Sequence, residues 1–133
     1  MTLIDALVAA RIEGPSVIAI GTFDGVHLGH QHLLRQVVEH ARARAANAVV
    51  MTFHPRPAEV LRPDIPSWYL CSLDARIRFL KAAGIDVVVP LAFTRELSTM
   101  SADDFVGALV EHARLCDLIG GPDLALGRGR AGT

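Results

Sequence analysis

Residues 17–30 leave this chain little freedom in how it folds. Val17-Ile18-Ala19-Ile20 is apolar at every position, and Gly21-Thr22-Phe23-Asp24-Gly25-Val26-His27-Leu28-Gly29-His30 follows at once. A strand without polar alternation has to be covered on both faces, which means a parallel sheet between layers of helix. Where that strand turns through glycine into a helix, backbone N–H groups without intrahelical partners and the positive end of the helix dipole point at the turn. Such a turn suits phosphate. His27 and His30 add side-chain donors beside it, and Gly29 between them lets a ligand approach the backbone.

The rest of the chain repeats the pattern. Leu3, Ala6, Leu7 and Ala10, with Arg11 at the same spacing, predict a helix over residues 3–12 that ends before Gly14-Pro15. Leu33, Leu34, Val37, Val38 and Ala41 form one face of a helix running from Leu28 to about Ala45, with Arg35, Glu39, Arg42 and Arg44 opposite. Ala48 to Phe53 reads as a second buried strand, and His54-Pro55-Arg56-Pro57 after it cannot be helical. Residues 58–71 read as loop. Ser72 is placed to cap a helix with Leu73, Ile77, Leu80 and Ala83 on one face and Gly84 as its stop. Ile85 to Leu91 is a third strand. Ser101 and Asp104 start a helix whose apolar face is Phe105, Leu109 and Val110, and Leu115 to Ile119 is a fourth strand. Helices alternating with buried strands predict one α/β domain over residues 1–133, a Rossmann-like parallel sheet with helices on both faces.

Composition narrows the function. Lys+Arg 13 against Asp+Glu 14 gives a net charge of -1, no basis for nucleic acid or an anionic membrane as partner. Cys71 and Cys116 are isolated, each preceded by a leucine and without CxxC spacing, and read as buried thiols in a reducing compartment. No leader or membrane span is evident, so the expected setting is the cytoplasm. The sequence assigns no oligomeric state.

Three ligand-like segments follow three strand ends: residues 21–30, 54–57 and 120–130. In a parallel α/β sheet they emerge on one edge. The first is neither a Walker A loop nor a dinucleotide fingerprint, since it has no Gly-Lys-Ser/Thr and no G-x-G-x-x-G. A tight turn using Gly21 and Gly25 for unusual φ, with incidental histidines, is the structural alternative. Another is a metal held by His27, His30 and His54. No carboxylate or cysteine follows at ligand spacing, so no metal ligand is assigned.

Residues 21–31 closely resemble the HxGH nucleotidyltransferase signature in the adenylyltransferase module of bacterial FAD synthetases, the bifunctional riboflavin kinase/FMN adenylyltransferases. Thr52-Phe53-His54-Pro55-Arg56-Pro57 is similar to that family's second segment, Thr-Phe-x-Pro-His-Pro, and Gly121-Pro122-Asp123-Leu124-Ala125-Leu126-Gly127-Arg128 to its third, Gly-x-Asp/Asn-Phe-x-Phe-Gly. The resemblance runs from about Ile4 to the last residue. It implies a nucleotidyltransferase-type fold that transfers AMP from ATP to FMN, with Mg2+ accompanying ATP. It also implies that His27 and His30 are catalytic, stabilising charge on the phosphates, and that Gly21, Thr22, Phe23, Asp24, Gly25 and Gly29 frame the nucleotide. Phe53, Pro55, Pro57, Asp123, Gly127 and Arg128 would meet the flavin side.

This sequence departs from the family pattern in three ways. Arg56 replaces the usual His, and Leu124-Ala125-Leu126 replaces an aromatic-basic-aromatic triplet. The family's module continues into a Ser/Thr-rich segment ending in Ile-Arg and then a riboflavin kinase barrel, and residues 1–133 are expected to lack both. The alternative reading is therefore a nucleotide- or flavin-binding module without catalysis, or an inactive fragment of the bifunctional enzyme.

Overall fold

A computed structural model describes residues 3–21, 28–53, 73–92 and 95–119; of residues 28–30 it describes the backbone. In chain order the elements are α1 (Leu3–Ala10), β1 (Ser16–Gly21), α2 (Leu28–Ala43) and β2 (Asn47–Phe53), then α3 (Leu73–Ala82) and β3 (Val87–Leu91). The short α4 (Arg95–Ser98), α5 (Ala102–Ala113) and β4 (Leu115–Ile119) complete them. The strands form one sheet in the order β3-β2-β1-β4, and every pairing is parallel.

The two-residue period of a strand sorts the apolar runs into two cores. Ile18, Ile20, Val49, Met51, Val89 and Leu91 face α1 and α5, where Leu7, Phe105 and Leu109 meet them. Val17, Ala19, Ala48 and Val50 face the other way, onto Leu34, Val37 and Ala41 of α2 and Leu80 of α3. Register keeps the layers separate, since Ile18 pairs with Val49 and Val17 with Ala48. The expected Rossmann-like architecture is therefore present, and unbroken apolarity in β1 and β2 reflects burial on both faces.

Local signals set the element ends. The Ser101 hydroxyl accepts from the Asp104 N–H at 3.1 Å, so the predicted cap of α5 is formed. Gly84 follows α3 at φ 104, a conformation open to glycine, and a Cβ there would also meet Val38 at 3.3 Å. α1 and α2 stop two residues earlier than the periodicity predicts, because Arg11 and Ala45 adopt left-handed φ of 51° and 53°.

Four readings of side-chain burial need correction. Ala83 lies beyond the end of α3 and is exposed. Val110 is 54% exposed, because the inner stripe of α5 runs through Phe105, Leu109 and Ala113. Cys116 is exposed rather than buried, since β4 pairs only with β1 among the described strands and is covered less completely. The inner face of α3 holds Arg76 beside Leu80, with the guanidinium fully buried. Cys71, Ser72 and residues 58–70 lie outside the described residues.

Candidate functional site

The topology decides where a ligand can sit. From β1 the chain moves outward through β2 to β3, then returns through α5 to place β4 on the opposite side of β1. The strand order thus reverses beside β1, and open α/β sheets bind ligands in the crevice outside the carboxyl ends of the strands at that point. Gly21, the last residue of β1, stands there, and α2 opens seven residues later at Leu28.

The three motif segments leave from the carboxyl ends of β2, β1 and β4, which are adjacent strands in that order. At about 4.8 Å per strand, their departure points span roughly 10 Å. The edge is stepped. Gly21 is level with Thr52, β2 continues to Phe53, and Ile119 is level with Ala19. The last described residue of β4 thus lies two residues below the end of β1.

Gly29 and His30 belong to the first turn of α2, as their spacing predicts, and His27 immediately precedes that helix. The orphan N–H groups and dipole of a 16-residue helix are therefore directed to the same edge. Phe53 ends β2 half-buried, opposite Leu91 and packed against the α1/α5 core. Thr22, Phe23, Asp24, Gly25, His27, Pro55, Pro57, Asp123, Gly127 and Arg128 lie outside the described residues.

One residue at this edge escaped sequence reasoning. Arg76 Nη1 donates to the Thr52 hydroxyl and to the Phe53 carbonyl, each at 3.0 Å. Among the described residues Arg76 is the only charged side chain that is fully buried. A signal was available in α3, where Leu73, Arg76, Ile77 and Leu80 share helical spacing, so the stripe read as apolar carries a cation.

Away from the edge, Arg42 on α2 pairs with Asp86 at 3.0 Å, and Asp86 also accepts the Ala48 N–H at 2.8 Å. The hydrogen bond from Arg42 is the main influence holding the Asp86 carboxyl below its usual range, against an opposing effect of partial burial. His40 Nδ1 lies 3.0 Å from Asp117, which ties α2 to β4. No group of three His, Cys, Asp or Glu side chains among the described residues is arranged to hold a metal. Nor is any described helix long and apolar enough to cross a membrane.

A four-stranded parallel α/β sheet with a helix N-terminus at its reversal point is consistent with a nucleotidyltransferase-type fold. The FAD synthetase family profile matches residues 9–133, and the chain belongs to that family. The chain is 38% identical over 117 residues to the bifunctional riboflavin kinase/FMN adenylyltransferase of Escherichia coli (strain K12), covering 87% of this chain and 37% of that protein. The Bacillus subtilis (strain 168) protein of the same description is 30% identical over 122 residues, with 91% and 39% covered. A solved structure described as a macrolide-efflux protein from Streptococcus pneumoniae superposes with a TM-score of 0.78 at 28% identity, covering 89% of this chain and 40% of that one. This chain thus spans about two fifths of the length of each of these proteins.

Proposed function

We propose that this chain transfers AMP from ATP to FMN, yielding FAD and pyrophosphate. An oxygen of the FMN phosphate attacks the α-phosphorus of ATP, a new P–O bond forms, and the bond to the β-phosphate breaks with pyrophosphate as the leaving group. The observation that carries this reading is the departure of all three motif segments from the adjacent strands β2, β1 and β4, with the α2 N-terminus behind the middle one.

The work asked of the protein is positioning and electrostatics. Backbone N–H groups at the start of α2 hold the triphosphate, and Gly29 admits it. His27 and His30 donate to the phosphate oxygens as charge builds toward pyrophosphate. Gly21, Thr22, Phe23, Asp24 and Gly25 frame the nucleotide. On the acceptor side stand Phe53, Pro55 and Pro57, with Asp123, Gly127 and Arg128 closing from the β4 side. Mg2+ bound to ATP would supply charge neutralisation on its phosphates; no residue of this chain is assigned to hold it. These substrates suit a cytoplasmic enzyme.

The test is FAD formation by the purified chain from ATP and FMN, followed by chromatography. Product above background that disappears in His30→Ala supports the reading, and no product from a folded chain that binds both substrates overturns it. A second reading, a binding module without turnover, is favoured by Arg56 and by Leu124-Ala125-Leu126 in place of the family's aromatic residues. Aromatic pairs contribute about 0.5–1.5 kcal/mol beyond area burial. Calorimetry separates the two: ATP binding lost in His27→Ala and His30→Ala without any FAD formation selects the module.

A further inference from the structure

We propose that Arg76 is a positioning residue for the FMN acceptor site, acting through the Thr52 hydroxyl and the Phe53 carbonyl. This rests on the adenylyltransferase reading above. Taking a guanidinium out of water costs several kcal/mol even after relaxation, and a well-packed apolar side chain at such a position is often neutral or better for stability. α3 presents an exposed face to solvent at Asp74, Arg78 and Lys81, yet the cation at position 76 points inward, under the end of β2. Core packing alone gives no reason for that choice.

What the guanidinium holds explains it better. Thr52 and Phe53 are the last two residues of β2, and both acceptors lie 3.0 Å from Nη1. Opposite Thr52 on β1 stands Gly21, the start of the phosphate turn. Because the peptide unit is planar, holding the Phe53 carbonyl fixes the plane through which the chain leaves the sheet. Arg76 therefore sets the acceptor side of the edge relative to the phosphate side, through its bonds to Thr52 and Phe53.

The 133-residue chain is tested with Arg76→Met, Arg76→Lys and Thr52→Val. In Arg76→Met the KM for FMN should rise about tenfold, as expected from loss of hydrogen bonds to a charged donor, while the KM for ATP changes less than about twofold. Arg76→Lys retains a charged donor without the planar fork, and should recover part of the flavin affinity. Thr52→Val keeps the shape and removes the hydroxyl, with an expected rise in FMN KM of about threefold. An unchanged FMN KM in folded Arg76→Met, or equal losses for ATP and FMN, overturns the proposal. If Arg76→Met does not fold, Thr52→Val and Arg76→Lys decide, and wild-type flavin kinetics in both overturn it. If the wild-type chain binds no FMN, the functional reading fails separately, and amide exchange in the ligand-free chain carries the test. Faster exchange at Thr52 and Phe53 but not at Val49 in the Arg76 variants then supports the positioning role, and uniform exchange overturns it.

Discussion

The two edges of the sheet are built for different ends. At the amino edge, short hydrogen bonds tie the connections to one another. The Ser16 hydroxyl donates to the Ala113 carbonyl at 2.6 Å and the Ser16 N–H to Arg114 at 2.9 Å, so β1 starts where α5 ends. The Asn47 side chain donates to Glu13 at 2.6 Å, and Asp86 receives Arg42 and the Ala48 N–H. At the carboxyl edge β2, β1 and β4 end beside the N-terminus of α2, and a cation is buried against the end of β2. One edge spends its polar groups on itself and supplies stability. The other ties Arg76 to Thr52 and Phe53, and in the adenylyltransferase reading it is the edge that meets the substrates.

Mutations at the two edges should therefore separate activity from stability. The largest effect is expected at the carboxyl edge, where His30→Ala should lower kcat by about 10²–10³, the scale of losing one donor to developing charge, with little change in Tm. A large fall in Tm with kcat per folded molecule intact would break the contrast. At the amino edge, Ser16→Ala leaves the Ala113 carbonyl without its buried donor and should cost about 1–3 kcal/mol in chemical denaturation. Substrate affinities in that variant should match wild type. Ser101→Ala removes the α5 cap and should cost about 1 kcal/mol, again without kinetic effect.

The smallest effect concerns pH. The folded-state pKa of Asp86 is lowered, so its contribution to stability is fully present above its ordinary value of 3.8 and is lost as pH falls through the lower, folded value. Thermal melts should show a modest extra fall in Tm in that acid window, and Asp86→Asn should remove it. Arg42 and Asp86 are both substantially exposed, so solvent screening keeps the change small. An equal acid loss in Asp86→Asn would assign it to other carboxylates.

Much of the fold was legible because its causes are local. β1 and β2 hold apolar runs at residues 17–20 and 48–51, α2 follows an apolar stripe, and Ser101 with Asp104 marks a helix start whose hydrogen bond is formed. The first candidate turn was legible for the same reason, since a strand, glycines and a helix start are neighbours in the chain. Arg76 was missed because its meaning depends on Thr52 and Phe53, more than twenty residues away, which no local pattern connects to it. Cys116 was misjudged because Leu115, Leu118 and Ile119 look alike in a central strand and in one that, among the described strands, pairs only with β1.

The sequence alone determined the alternation of strands and helices, the chain order of the three motif segments and their resemblance to one family. Those properties follow from side-chain chemistry over spans of a few residues. Only the tertiary structure decided that β4 pairs with β1, bringing Leu115 opposite Ser16 and Ile119 level with Ala19. It alone decided that the sheet edge is stepped, and that a cation lies under the end of β2. These outcomes depend on contacts between residues far apart in the chain, where the gain from pairing and burial has to exceed the entropy of closing long loops, and periodicity carries no record of that balance.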